Sequence, residues 1–223
     1  MWGDLLLDLL LAALVITLSP IPIIAITLVL STPRGRANGL AFSGGWVVGL
    51  LVITAVFTLL TDGVEDKVGG TNTIVELIRL SVGVLLLVLA TRKWMKRPKQ
   101  GEEAELPPWM SSIEGIAPNR ALVLGLTLAA ANPKNLAFAL VAGAAIASSG
   151  AAEWIAVLVF VLLGSLSVLG SVVFYLAATD KAASGLANLK DFMARHNAVI
   201  MAALFAFFGI KMVLGSLTML MAG

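Results

Sequence analysis

Apolar stretches separated by short polar ones make up most of the chain, at roughly 5–31, 37–61, 73–92, 120–148, 152–178 and 198–221. A hydrocarbon core of about 30 Å takes about 20 helical residues to cross, and every one of these runs is long enough. The pattern predicts an all-α integral membrane protein with one transmembrane helix per run. Composition agrees, since 59% of the residues are hydrophobic and 13% charged, with a mean hydropathy of +1.00. Such a chain is not a water-soluble domain.

The polar connections set the orientation, because Lys and Arg are retained on the cytoplasmic side. The first connection carries Arg34 and Arg36, the third Arg92, Lys93, Lys96, Arg97, Lys99 and Arg120, and the fifth Lys181, Lys190 and Arg195. The second sets Lys67 against Asp62, Glu65 and Asp66, and the fourth has no cation. The odd connections are therefore expected in the cytoplasm, with both termini outside. Asp4 and Asp8, with no nearby cation, are the wrong charges for the start of a secretory signal peptide, so an uncleaved first helix is expected. The third connection, with Lys96 to Lys99, three glutamates, Pro107 and Pro108, reads as a flexible linker and alternatively as a docking segment for a partner.

Two runs contain prolines that a helix does not tolerate in its interior. The first is interrupted at Ser19-Pro20-Ile21-Pro22-Ile23 and the fourth at Asn132-Pro133-Lys134-Asn135. Each proline removes a backbone donor, so each run is expected to split into half-helices whose freed groups face protein or a wet cavity. A second correspondence sets Arg79, four residues before Gly83, beside Lys211, four residues before Gly215. These matches divide the chain into a three-helix repeat over 1–92, a cytoplasmic linker over 93–119 and a second repeat over 120–223. An odd number of crossings per repeat inverts the second relative to the first, an arrangement that supports alternating access. Gly45 and Gly49 suggest close packing on the second helix, and Gly164 and Gly170 lie in the fifth, which has no proline.

At 1.5 Å per residue, Lys134, Lys211 and Arg79 all come out near the middle of the bilayer, at about 20 Å depth. A cation there costs on the order of 3 kcal/mol and needs a partner. Glu76, one turn from Arg79, is the carboxylate identified for that role. One reading pairs Glu76 with Arg79, lets Lys211 reach the interface and leaves Lys134 to cap freed carbonyls. The other places Lys134 and Lys211 as surplus cations around an anion site, with the half-helix amino termini beyond Pro22 and Pro133 adding donors. Candidate substrate-binding residues are thus Lys134, Lys211, Arg79, Asn132, Asn135, Ser19 and Glu76, and the helix-break residues are Pro20, Pro22 and Pro133.

Other chemistry finds no support in the residues. With no cysteine and the single histidine, His196, in a connection, no metal site or cofactor is expected. Neither a phosphate-binding loop nor a nucleophile with its base is present, so no ATP hydrolysis, other enzyme activity or nucleic-acid partner is expected.

Taken together, the Ser19 to Ile23 segment, Ser31-Thr32-Pro33-Arg34-Gly35-Arg36-Ala37-Asn38-Gly39-Leu40-Ala41-Phe42 leading into Gly45-Trp46, and Asn132 to Asn135 resemble the peptidoglycolipid- or sulfolipid-addressing protein (GAP or Sap) family of the lysine-exporter (LysE) superfamily. The resemblance spans nearly the whole chain. It implies a role in moving cell-envelope glycolipids across the bacterial inner membrane, beside a larger energised exporter, with membrane lipids around the protein and an anionic lipid or glycolipid as substrate. A homo-oligomer is compatible with it. Two alternatives stay open: a proton-coupled exporter of an amino acid or other small metabolite, and a non-transporting subunit of a lipid export complex.

Overall fold

The computed structural model describes residues 2–61, 71–95, 97, 113, 115–149, 152–177 and 179–222. The acidic second connection around Asp62 to Lys67 lies outside the described residues, as does most of the 93–119 linker with its proposed docking segment. Among the described residues the chain forms nine helices: α1 (Trp2–Thr17), α2 (Pro20–Leu30), α3 (Gly35–Thr61), α4 (Thr71–Met95), α5 (Pro118–Ala130), α6 (Pro133–Ala147), α7 (Glu153–Gly164), α8 (Leu166–Ala177) and α9 (Thr179–Ala222).

The starts of these helices follow from local chemistry. Pro20, Pro118 and Pro133 occupy the first turns of α2, α5 and α6, where a missing N–H costs nothing and the fixed φ favours the helix. Asn132 caps α6, its side-chain oxygen accepting from the Lys134 N–H at 3.1 Å.

Two helices, α3 and the Ser184–Met221 part of α9, are each long and apolar enough to cross a membrane, and the number rises to four if the bent pairs α1/α2 and α7/α8 each count as one span. The expectation of six exceeds this for identifiable reasons. The charges of Glu76, Arg79, Arg92 and Lys93 keep α4 out of that set, while α5 and α6, at 13 and 15 residues, are too short singly.

Two features go beyond what the sequence pattern indicated. The fifth run is broken as well: α7 and α8 meet at 58°, more sharply than the proline-bearing α1/α2 pair at 54°. The break falls at Gly164-Ser165, and a Gly/Ser pair kinks a helix without any proline. The fifth connection, with Lys190 and Arg195, is helical. It forms the first half of the 44-residue α9, since its Ala-, Leu- and Lys-rich sequence offers no proline to stop the helix.

The core is mainly apolar, yet it also takes in several polar side chains while a stripe of apolar ones stays outside. Lys134, Glu76, Asn38, Asn135 and Thr54 are buried, whereas Val48, Val52 and Val56, one turn apart on α3, are exposed. That distribution suits lipid as solvent. Some buried hydroxyls turn back on their own helices, as when Thr27 donates to Ile23 O at 2.8 Å and Thr54 to Leu50 O at 2.7 Å.

Glycines bring the helices close. A Cβ at Gly49 would lie 2.8 Å from the Ala129 Cβ, and Cβ atoms at Gly45 and Gly125 would run into the backbone carbonyls of Leu122 and Phe42. Thus α3 and α5 pack backbone against backbone. A similar approach joins α4 to α9, where a Cβ at Gly83 would meet the Val213 side chain at 2.9 Å and one at Gly209 would meet Leu87 at 2.9 Å. Gly215, the sequence counterpart of Gly83, has open space where a Cβ would go, so this contact does not follow the proposed repeat.

Candidate functional site

Three helix breaks face one another, and side chains from one satisfy groups freed at another. At the end of α1 the last turn tightens, with the Ser19 N–H donating to Ile16 O at 3.2 Å. The Val15 carbonyl thereby loses its helical donor. Lys134 supplies a replacement, its Nζ donating to Val15 O at 2.9 Å from the start of α6.

At the α5/α6 break, the carbonyls of Leu128 and Ala129 would take their helical donors from Asn132 and Pro133, and proline has none. The Asn135 Nδ2 donates to both instead, at 3.2 and 3.0 Å. The third break is tied in by the Thr17 hydroxyl, which donates to Leu163 O near the end of α7. The Asn-Pro-Lys-Asn sequence therefore does three structural jobs: Asn132 caps α6, Lys134 braces α1 and Asn135 completes α5. Ser19, also buried, is the N-cap residue of α2 but makes no side-chain cap bond.

A second constellation lies in a pocket of about 160 Å³ lined by α1, α4, α6 and α9. Arg79 on α4 forms its centre. Its Nη1 donates to Glu76 Oε1 at 2.8 Å and its Nη2 to Asp8 Oδ2 at 2.9 Å. Lys211 lines the same pocket from α9, and among the described residues it makes no ion pair. Glu76 is nearly buried, at 8% side-chain exposure, while Asp8 keeps 41%. Leu11, Phe138, Val141, Phe208 and Met212 supply apolar walls. The cavity thus combines charged and apolar side chains in one lining, a combination suited to an amphiphile.

The expected group of three midplane cations is consequently divided. Arg79 and Lys211 share the pocket, whereas Lys134 is absent from its lining and points into the α1/α6 junction. Asp8 and Val15, seven residues apart on α1, put about 10 Å between the two levels. The surplus of positive charge also disappears. Asp8 and Glu76 against Arg79 and Lys211 sum formally to zero, because Asp8 enters as a partner the sequence reading had not assigned to the membrane. Its position inside the first apolar run was the available signal. Asn132, Asn135 and Ser19 belong to the breaks and do not line the pocket.

Among the described residues no group of three or more His, Cys, Asp or Glu side chains is placed to hold a metal ion. Comparison with protein families matches residues 9–218 to the family described as Sap, sulfolipid-1-addressing protein. No curated protein and no solved structure matches the chain.

Proposed function

The chain belongs to the Sap, sulfolipid-1-addressing protein family, and from that premise we propose that it translocates an anionic envelope lipid or glycolipid across the bacterial inner membrane, holding the headgroup in the pocket around Arg79 and Lys211. The observation that carries this reading is a lining that combines the cations Arg79 and Lys211, the first held by Asp8 and Glu76, with the apolar side chains of Leu11, Phe138, Val141, Phe208 and Met212. An acidic headgroup satisfies Lys211, which has no ion pair among the described residues, while acyl chains follow the apolar side chains toward the bilayer.

In this reading the protein crosses the membrane six times, as two inverted three-helix repeats, with both termini outside. The α1/α2, α5/α6 and α7/α8 pairs are each a broken span, and α4 crosses despite its charges because Glu76 and Arg79 satisfy each other. The role assigned to Lys134 and Asn135 changes from holding substrate to holding the breaks together. Membrane lipids are the immediate partners, with a larger energised exporter as a candidate further one.

The test is reconstitution into liposomes with fluorescent phosphatidylglycerol or a sulfated glycolipid, reading the fraction of label that changes leaflet. Lys211→Gln is expected to slow translocation at least tenfold with an unchanged melting temperature. Wild-type rates from that variant would refute the headgroup assignment. Because the chain has no cysteine, single cysteines at Arg36 and Ser149 report the orientation cleanly. An impermeant thiol reagent applied to intact cells should label the second and spare the first.

A further inference from the structure

The charged side chains that line the pocket balance formally, and an anion entering it unbalances them. Two carboxylates, Asp8 and Glu76, hold the Arg79 guanidinium at 2.9 and 2.8 Å, and Lys211 is the other charged lining residue. α1 contributes Asp8, α4 contributes Glu76 and Arg79, and α9 contributes Lys211. From α6 only Phe138 and Val141 line the pocket, and neither titrates. A headgroup with one negative charge brings the sum to minus one in a site with mostly apolar walls, where an uncompensated charge is poorly tolerated.

We infer that binding of an anionic headgroup in this pocket is coupled to uptake of one proton by the Asp8–Glu76 pair. The proton comes from bulk water and adds to a carboxylate oxygen, leaving Arg79 held by the carboxylate that stays ionised. Both carboxylates share one guanidinium, so the proton is assigned to the pair rather than to either member. Anion and proton then enter together as a neutral load. This inference rests on the headgroup reading of the pocket and adds an ion-coupling function to it.

The sign follows directly. If the occupied pocket binds one more proton than the empty one, raising the pH weakens binding, by up to tenfold per pH unit where the linkage is complete. Titration calorimetry of the full chain in detergent, with dihexanoyl phosphatidylglycerol as probe, measures proton uptake by comparing buffers of different ionisation enthalpy between pH 5.5 and 8.5. Approaching one proton per lipid, with affinity falling as pH rises, is the expected result. Glu76→Gln already carries a neutral side chain at one carboxylate. It should bind the probe with pH-independent affinity and no proton uptake, and more tightly than wild type at pH 8.5. Asp8→Asn should behave the same way and replaces it if the buried Glu76→Gln change impairs folding.

Wild-type binding with no proton uptake overturns the coupling while leaving the headgroup reading standing. So does equal proton uptake with dihexanoyl phosphatidylcholine, which has no net charge, or full linkage retained in both variants. Failure of the wild type to bind the anionic probe at any pH overturns the headgroup reading itself, and the coupling with it.

Discussion

Replacing Lys134 by methionine separates a structural brace from a substrate ligand. The ammonium is buried and donates to Val15 O at 2.9 Å, its single hydrogen bond among the described residues. Deleting it removes a charged hydrogen bond with a net value of about 1.5–3 kcal/mol and leaves the Val15 carbonyl without a donor. Against this, holding a cation at that depth costs on the order of 3 kcal/mol, a cost the methionine does not incur. The terms nearly cancel, and the thioether keeps most of the stem volume, so Lys134→Met should stay within about 1.5 kcal/mol of wild-type stability.

Lys134→Ala differs because it also empties the space of three methylenes. At about 0.8 kcal/mol per buried CH₂ this adds about 2 kcal/mol of destabilisation, with a cavity term on top. The expected order of melting temperature is wild type close to Lys134→Met, with Lys134→Ala clearly lower. Lipid translocation in the same liposomes should survive in Lys134→Met and be lost in Lys211→Met. A methionine variant with wild-type melting but no transport would refute the reasoning, since it would place the ammonium in the substrate's path.

Other substitutions test the remaining contacts. Asn135→Ala leaves the Leu128 and Ala129 carbonyls without their side-chain donor, at about 1–3 kcal/mol each, so thermal unfolding in detergent should shift down by more than for any surface change. Gly125→Ala pushes a Cβ into the Phe42 carbonyl, whereas Gly44 has open space. The first should lower stability by about 1–3 kcal/mol, and Gly44→Ala should leave the melting curve unchanged. Asn38 donates to Ile116 O and Thr32 Oγ1, both at 2.9 Å, so Asn38→Ala should speed amide exchange in the segment leading into α5, as read by mass spectrometry.

Much of the fold was legible in the sequence. Pro20 and Pro133 mark two of the three breaks, because proline's missing donor and ring clash act wherever it falls in a helix. Gly45 and Gly49 mark the face where α3 meets α5. Gly164-Ser165 was harder to read, since glycine and serine occur freely in membrane helices and bend them only where packing permits. The helical first half of α9 was missed for a related reason. Its cations carry the expectation of a cytoplasmic side, but charge says nothing of whether the backbone there is coiled or extended.

The site was legible in its residue types and not in their partners. Arg79 with Glu76 followed from a spacing of three residues on one helix. Asp8, 71 positions away in sequence from Arg79, could be found only by asking which apolar run other than that of Glu76 holds a carboxylate. Lys134 shows the deeper reason. Counting charges at a given depth assumes that a buried cation is answered by an anion, whether a side chain or a substrate. Its partner is instead a main-chain carbonyl, a group every residue carries and no residue type announces. Proline is what makes that carbonyl available, because Pro20 brings α1 to an end and the tightened turn leaves Val15 unpaired. The proline in the first run and the lysine beside the proline in the fourth are therefore two halves of one interaction. Their pairing across the two breaks gives the buried ammonium group a main-chain partner, which is why the proposed headgroup site rests on Arg79 and Lys211 alone.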